Sequence, residues 1–383
     1  MKKILIIGEK FSPNLGDALI FNIVDKIFKE KYSTDFLDLS GRDEYKSDES
    51  SNYSVNDSTK GKIIKKCKLF FKKIGFLLKG KNMITFIKKF EIIFMEKVLS
   101  YKPDIILFAG GQLFMDSFFE QIKIVVKFCD KNNIPVIFNA CGCSNKIYLY
   151  EKKCLKKIVN SDSVKYISLR DGYNIVKKYD NNEKVHDTFD TALLCSNFMS
   201  SVDKKTILGI GIMYTSFYEY KIQFDFWSDI LKFVKDNNIE YRIFCNGSID
   251  DYKFINEICK ENNIDSNLIC DRPLDENQLV KCISSFDSIV SMRLHSLIVA
   301  HSFCIPSVAI AWDKKVLEFY KKINRETFCF RIDDDICKIK NSILNLNKIK
   351  ISQKQLESIN DIIMNNIKNI YDIIDGKENN KYE

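Results

Sequence analysis

A chain of 383 residues is longer than the usual single domain of about 100–200, so two domains are expected; 45% hydrophobic and 29% charged residues is an ordinary globular balance. No run reaches the roughly 18 apolar residues of a membrane-crossing helix, and the Ile4–Ile7 run, closed by Gly8-Glu9-Lys10 with no small-residue cleavage site, does not read as a signal peptide, so a cytoplasmic location is expected. Thirteen scattered cysteines without a Cys-x-x-Cys pair, beside only three histidines, point to reduced thiols and no zinc site.

Lys3 to Gly8 reads as a buried strand, and Asp17 to Lys29 carries apolar residues at helical spacing. The alternation recurs. Asp104–Ala109 reads as a strand, followed by Gly110-Gly111 and a helical stretch to about Asn132. Pro135–Ala140 and Val164–Leu169 are further strands, the second followed by Arg170-Asp171 and a helix to Tyr179. A second series has strands at Ile207–Met213, Tyr241–Cys245, Ser288–Met292 and Ser307–Ala311, with helices near 226–237, 252–262 and 294–303. Strands alternating with helices imply mostly parallel sheets. The expected fold is α/β: two Rossmann-like domains, 1–198 and 199–383, facing a cleft where ligands meet the carboxyl ends of strands.

Residues 41–100 interrupt the first series. Asp43 to Thr59 is polar and reads as a loop. Lys60 to Lys97 carries twelve lysines against Glu91 and Glu96, with Phe, Ile and Leu interleaved. This is either a membrane-surface element or a surface helix with a solvated lysine face. No nucleic-acid recognition motif accompanies the charge, so nucleic acid is not an expected partner.

Arginine is scarce here, seven against 52 lysines. A guanidinium fork kept against that bias suggests a need for bidentate geometry. Arg170 and Arg293 each end a strand at the start of a helix, where anions are favoured. Arg170 could equally pair with Asp171. His295, two residues past Arg293, is a candidate general acid or base. His301 is expected to face the core, and His186 stays open. Asn14, Gly16 and Asp17 stand where the first strand meets its helix; Gly16 allows close backbone approach and Asp17 suits a helix cap. Gly110 and Gly111 could cradle an anion through backbone amides. No P-loop or G-x-G-x-x-G is present.

In this order, Asn14-x-Gly16-Asp17, Gly110-Gly111-x-Leu113-Phe114, Ser168-Leu169-Arg170-Asp171, Asp190-Thr191-Ala192, Arg293-Leu294-His295, Ile305-Pro306 and Trp312-Asp313-Lys314-Lys315, the chain resembles the polysaccharide pyruvyl transferases. It departs from the family pattern at Ala109, where a third glycine is usual, and at Thr191, where proline is usual. The resemblance implies a fold like that of the two-Rossmann (GT-B) glycosyltransferases. It implies phosphoenolpyruvate as donor substrate with no further cofactor or metal. It implies a sugar of a surface polysaccharide, or its lipid-linked precursor, as acceptor. It also implies Arg170 and Arg293 as anion-binding groups and His295 as acid or base. Asp17 is a candidate to orient an acceptor hydroxyl, and Asn14, Gly16, Gly110, Gly111, Leu294 and Lys314 complete the expected substrate site. Two other readings stand: a nucleotide-sugar glycosyltransferase, with Asp271 or Asp275 as ribose partner, and a membrane-surface scaffold of glycan assembly.

Overall fold

The computed structural model describes residues 1–45, 85–145, 147–202, 207–349 and 351–377. The first sheet contains β1 (Lys3–Gly8), β2 (Ser33–Asp38), β3 (Ile105–Phe108), β4 (Gly111–Phe114), β5 (Val136–Cys143), β6 (Val164–Leu169) and β7 (Val185–Asp187). Its order is β2-β1-β3-β5-β6-β7, with β4 paired to β5. The second contains β8 (Leu208–Gly211), β9 (Tyr241–Phe244), β10 (Ser288–Ser291), β11 (Ser307–Ile310) and β12 (Cys329–Phe330), in the order β12-β11-β10-β8-β9. Every pairing between these strands is parallel. The α/β fold with parallel sheets is as read from the sequence. The strands β2, β4, β7 and β12 were not foreseen.

Parallel strands are covered on both faces, so they read as unbroken apolar runs. In β1, Ile4 and Ile6 face one core while Leu5 and Ile7 face the other. The second core lies under helices 119–132 and 149–159. The first is shared between the two sheets. It joins helix Leu15–Lys29, the turn Thr191–Leu194, helices Glu276–Ser284 and Leu294–Ser302, and helix Gln353–Asp375.

That last helix matters for the division of the chain. A boundary at 198/199 groups it with the second sheet, yet it packs on the first. Asn366 donates to Asn139 at 2.8 Å and accepts from Tyr166 at 3.0 Å; Tyr371 donates to the Ile27 carbonyl, and Asp375 pairs with Lys31 at 2.6 Å.

The expected polar loop and residues 60–84 of the basic segment lie outside the described residues. Residues 85–101 form a helix. Its Phe90, Phe94 and Val98 are buried against the first sheet, with Phe94 edge-on to Phe128. This part therefore packs on the domain.

Both sheets reverse direction of winding at an inner strand. β1 lies between β2 and β3; β8 lies between β9 and β10. In such sheets the crevice opens at the carboxyl ends beside the reversal. Residues 14–17 and 110–111 follow β1 and β3, and Arg293 follows β10.

Candidate active site

The two reversal points meet at His295. Its ring is 5% exposed, in the first turn of helix Leu294–Ser302. Nε2 lies 3.2 Å from Arg170 Nη1 and 3.7 Å from an Asp190 carboxylate oxygen. Gly16 closes the other side. A Cβ there would stand 2.0 Å from His295 Nδ1, so only glycine lets the first helix meet the imidazole of the second half.

Arg170 is buried at the end of β6. Its Nε donates to Asp171 at 3.1 Å and its Nη1 to Asp190. Burial works against the guanidinium charge, but Asp190, Asp171 and Asp17 outweigh it and raise its pKa above the usual arginine value. Asp190 is opposed by burial too. Arg170 and His295 prevail and hold its carboxyl well below the usual range. Asp190 also caps its own turn by accepting from Ala192 N at 2.9 Å. The buried pair fixes the imidazole, and the alternative of an Arg170–Asp171 bridge is realised.

Arg293 stands at the N-cap position of the helix that carries His295 and is 21% exposed in its side chain. Nε and Nη2 form a fork on the buried Asp251, both at 2.8 Å. Asp251 also accepts from Tyr214 N at 3.1 Å. Burial raises the Asp251 carboxyl, with Arg293 pulling against it. The fork is aligned by this carboxylate, leaving its outer edge toward solvent.

Asp17 lies inside helix Leu15–Lys29, and Asn14 stands at the N-cap position without a side-chain cap bond. The expected cap by Asp17 is therefore corrected, since Asp17 is the third residue of the helix, three past the cap position. It accepts from Asn14 Nδ2 at 2.7 Å instead. Asn14 in turn accepts from Asn246 Nδ2 at 3.0 Å, and Asn246 accepts from Ser296 Oγ at 3.0 Å. This line of hydrogen bonds crosses between the halves. Gly110 and Gly111 have φ of 111° and 87°. The Gly111 Cα faces Asp17, whose Oδ1 would be 3.3 Å from an added Cβ.

Two expected residues do not belong to the cleft surface. Leu294 is a buried core side chain. Lys314 is exposed and paired with Glu318 at 3.1 Å. Its neighbour Lys315 turns inward, with Nζ 4.8 Å from the centre of the Trp312 ring. Among the described residues it makes no ion pair within the 4 Å that pairs Arg170 and Arg293. Burial, then Arg170, lowers its pKa, with Asp313, Asp17 and Asp171 opposing. An ammonium without a carboxylate beside a buried arginine is the open cationic position here.

Glu9 was also missed. It follows β1, 3.6 Å from Arg42 Nη1. Burial, reinforced by Asp17 and only partly offset by Arg42, pushes its carboxyl up to about 8. His301 faces the core as expected, edge-on to Phe319, and burial and Arg325 lower it to about 4. His186 stacks on Tyr166 at 4.6 Å. Asp275 caps helix Glu276–Ser284 through Gln278 N, which leaves the ribose role without support. Among the described residues no group of three or more His, Cys, Asp and Glu is arranged to hold a metal ion.

The family model of the polysaccharide pyruvyl transferases matches residues 14–314, from Asn14 through His295 to Lys314. The chain belongs to this family. Membership is carried by the sequence match, and the fold of the family member is shared more widely. The S. aureus MnaA–UDP co-structure aligns over 100% of this chain and 99% of its own at 13% identity and TM-score 0.60. The UDP-GlcNAc 2-epimerases of Methanocaldococcus jannaschii (13% identity, 95% and 100% covered, TM-score 0.54) and Rickettsia bellii (11%, 100% and 99%, 0.54) align similarly. At these identities the likeness concerns the GT-B-like pair of Rossmann domains alone. No protein of curated function matches the chain.

Proposed function

We propose that this family member transfers the pyruvyl group of phosphoenolpyruvate to two hydroxyls of a sugar in a surface polysaccharide or its lipid-linked precursor, forming a ketal. The observation that carries the reading is the His295 imidazole, held between Gly16 and the Arg170–Asp190 pair, with the unpaired Lys315 ammonium also set against Arg170.

In this reading Lys315 and the outer edge of Arg293 receive the donor's phosphate and carboxylate, the group types that such cations match. Arg170 acts through its neighbours: its charge is committed to Asp190 and Asp171, and it orients His295. A proton delivered to the methylene carbon makes the central carbon electrophilic. One sugar hydroxyl adds there, losing its proton. A second displaces phosphate and closes the ring. His295 supplies the proton to carbon or to the leaving phosphate, and the cations stabilise charge on the phosphate. Asp17, with one oxygen over Gly111, orients the acceptor hydroxyl.

The test is calorimetry with phosphoenolpyruvate and a panel of nucleotide sugars on wild type, Arg293→Ala and His295→Ala. Saturable phosphoenolpyruvate binding, weakened in Arg293→Ala and kept in a turnover-dead His295→Ala, is the expected result. Binding of a nucleotide sugar instead would transfer the chain to the glycosyltransferases. Lys315→Met should lose donor affinity by at least about tenfold, the cost of one charge-assisted contact of about 1.5–3 kcal/mol, while Lys314→Met should leave it unchanged.

A further inference from the structure

Positive charge is not spread over this molecule. Residues 119–159 hold eight lysines against Glu120, Asp130 and Glu151, and 60–97 hold twelve against two acids. Together these exceed the net +8, so the remainder of the chain is acidic.

Helices Phe119–Asn132 and Leu149–Val159 lie side by side over the same face of the first sheet. Lys123, Lys127 and Lys131 recur every four residues along the first, forming one stripe. Lys152, Lys153, Lys156 and Lys157 are all exposed on the second. Its acid, Glu151, is buried and closes the helix start by accepting from Tyr148 N at 2.6 Å. Of the acids on the first helix, Glu120 is paired with Lys123, and Asp130 accepts from Ser161 and Ser163.

At the head of this lysine face stand three consecutive large side chains in solvent: Tyr148 is 70% exposed, Leu149 78% and Tyr150 56%. Single exposed apolar residues need no explanation, but three in a row beside a lysine face do. Tyr150 is not a loose end. Lys123 Nζ donates to its hydroxyl at 2.7 Å and sits 5.1 Å from its ring centre, so the aromatic ring is held outward between the two helices. An amphipathic tip of aromatic and aliphatic residues backed by lysines is the composition of a surface that lies on anionic lipid, with the rings at headgroup level and the lysines on the phosphates.

The position relative to the cleft supports the same partner. Tyr148 is five residues in sequence past Cys143, the last residue of β5, which donates its amide to Asp171 at 2.9 Å, beside Arg170. The exposed tip is therefore close in sequence to the candidate active site.

We infer that the face formed by Tyr148, Leu149, Tyr150 and the lysines of helices 119–132 and 149–159 docks on an anionic lipid surface, with the mouth of the cleft beside the membrane. This does not depend on which donor the enzyme uses.

The test is co-sedimentation of the full chain with phosphatidylcholine vesicles and with vesicles containing 30 mol% (about a third) phosphatidylglycerol. The wild type should bind the anionic vesicles, less at high salt. Leu149→Ser with Tyr148→Ser should weaken partition, and Lys152→Gln, Lys153→Gln, Lys156→Gln and Lys157→Gln together should lower it by at least about tenfold. All six substituted positions are exposed, and unchanged thermal unfolding would show that the variants fold. Variants that bind like wild type would overturn the inference and leave the basic residues 60–84 as the lipid contact. Binding to a duplex oligonucleotide but not to vesicles would overturn it, as would a dimer that dissociates in Leu149→Ser without any lipid binding.

Discussion

Gly16 and His295 are 279 positions apart, and the site depends on how closely they meet. A methyl group at Gly16 has nowhere to go: Nδ1 and Cγ of the imidazole would lie 2.0 and 2.1 Å away. Gly16→Ala must therefore displace either the first helix or the ring. A displacement of about 1 Å costs on the order of 100-fold in rate. Activity assays should show that loss with the fold retained, and thermal unfolding should show a destabilisation of about 1–3 kcal/mol. Glu9 makes a prediction of the opposite kind, about pH. Its folded carboxyl is raised to about 8 from an ordinary 4.5. Between those values the folded state holds a proton that the unfolded state has released, so stability falls as pH rises through this window. Urea midpoints from pH 5 to 9 should decline in wild type, and Glu9→Gln should flatten that decline.

How far these residues were legible depends on their chemistry. Arg170, Arg293 and His295 stand out because their residue types are rare in this chain and because each lies at a strand-to-helix junction. Lys315 does not stand out among 52 lysines. Its inward orientation follows from the phase of helix Lys314–Lys322, which Asp313 sets by accepting from Lys314 N. Asp251 is 42 residues from Arg293 in sequence, and nothing local announces their fork. Glu9 becomes unusual only through burial beside Asp17.

At the scale of elements, the buried apolar strands were readable, whereas β2, half-buried and polar in Ser33, Thr34 and Asp35, was not. β12 has two residues and β7 three, too few for a periodic pattern. β4 begins at a glycine with positive φ, which hides it as a turn. The terminal helix is periodic, with Leu356, Ile359, Ile363, Ile367, Ile370 and Ile374 buried at spacings of three and four. What no periodicity could tell is which sheet it covers. Asn366 is the polar centre of that packing, donating to Asn139 and accepting from Tyr166, while Asn139 donates to Thr191 at 3.1 Å. Asn366→Ala removes both bonds and takes from the buried Asn139 Oδ1 the donor it has here, a loss of about 1–3 kcal/mol. Chemical denaturation should report a loss in that range, with donor binding little changed at the remaining native fraction.

For the whole molecule, the shared core predicts that the two halves do not separate when one connection is cut. A protease site inserted after Ser201 and cleaved should leave two fragments that elute together under native conditions, because helix Gln353–Asp375 still clasps the first sheet. Separate elution would show that the shared core is too weak to hold the halves. Among the described residues, no helix is long and apolar enough to cross a membrane.

The return of the last helix has a mechanical consequence. The chain leaves the first sheet after helix Cys195–Phe198, enters the second at β8, and comes back with helix Gln353–Asp375. A body tied to its partner by one strand can swivel about it; a body tied by two can only fold along the line through both ties. Opening of the cleft is thereby confined to one rotation, like a door on two pins. That restriction would return the His295 imidazole to the same place against Gly16 each time the door shuts.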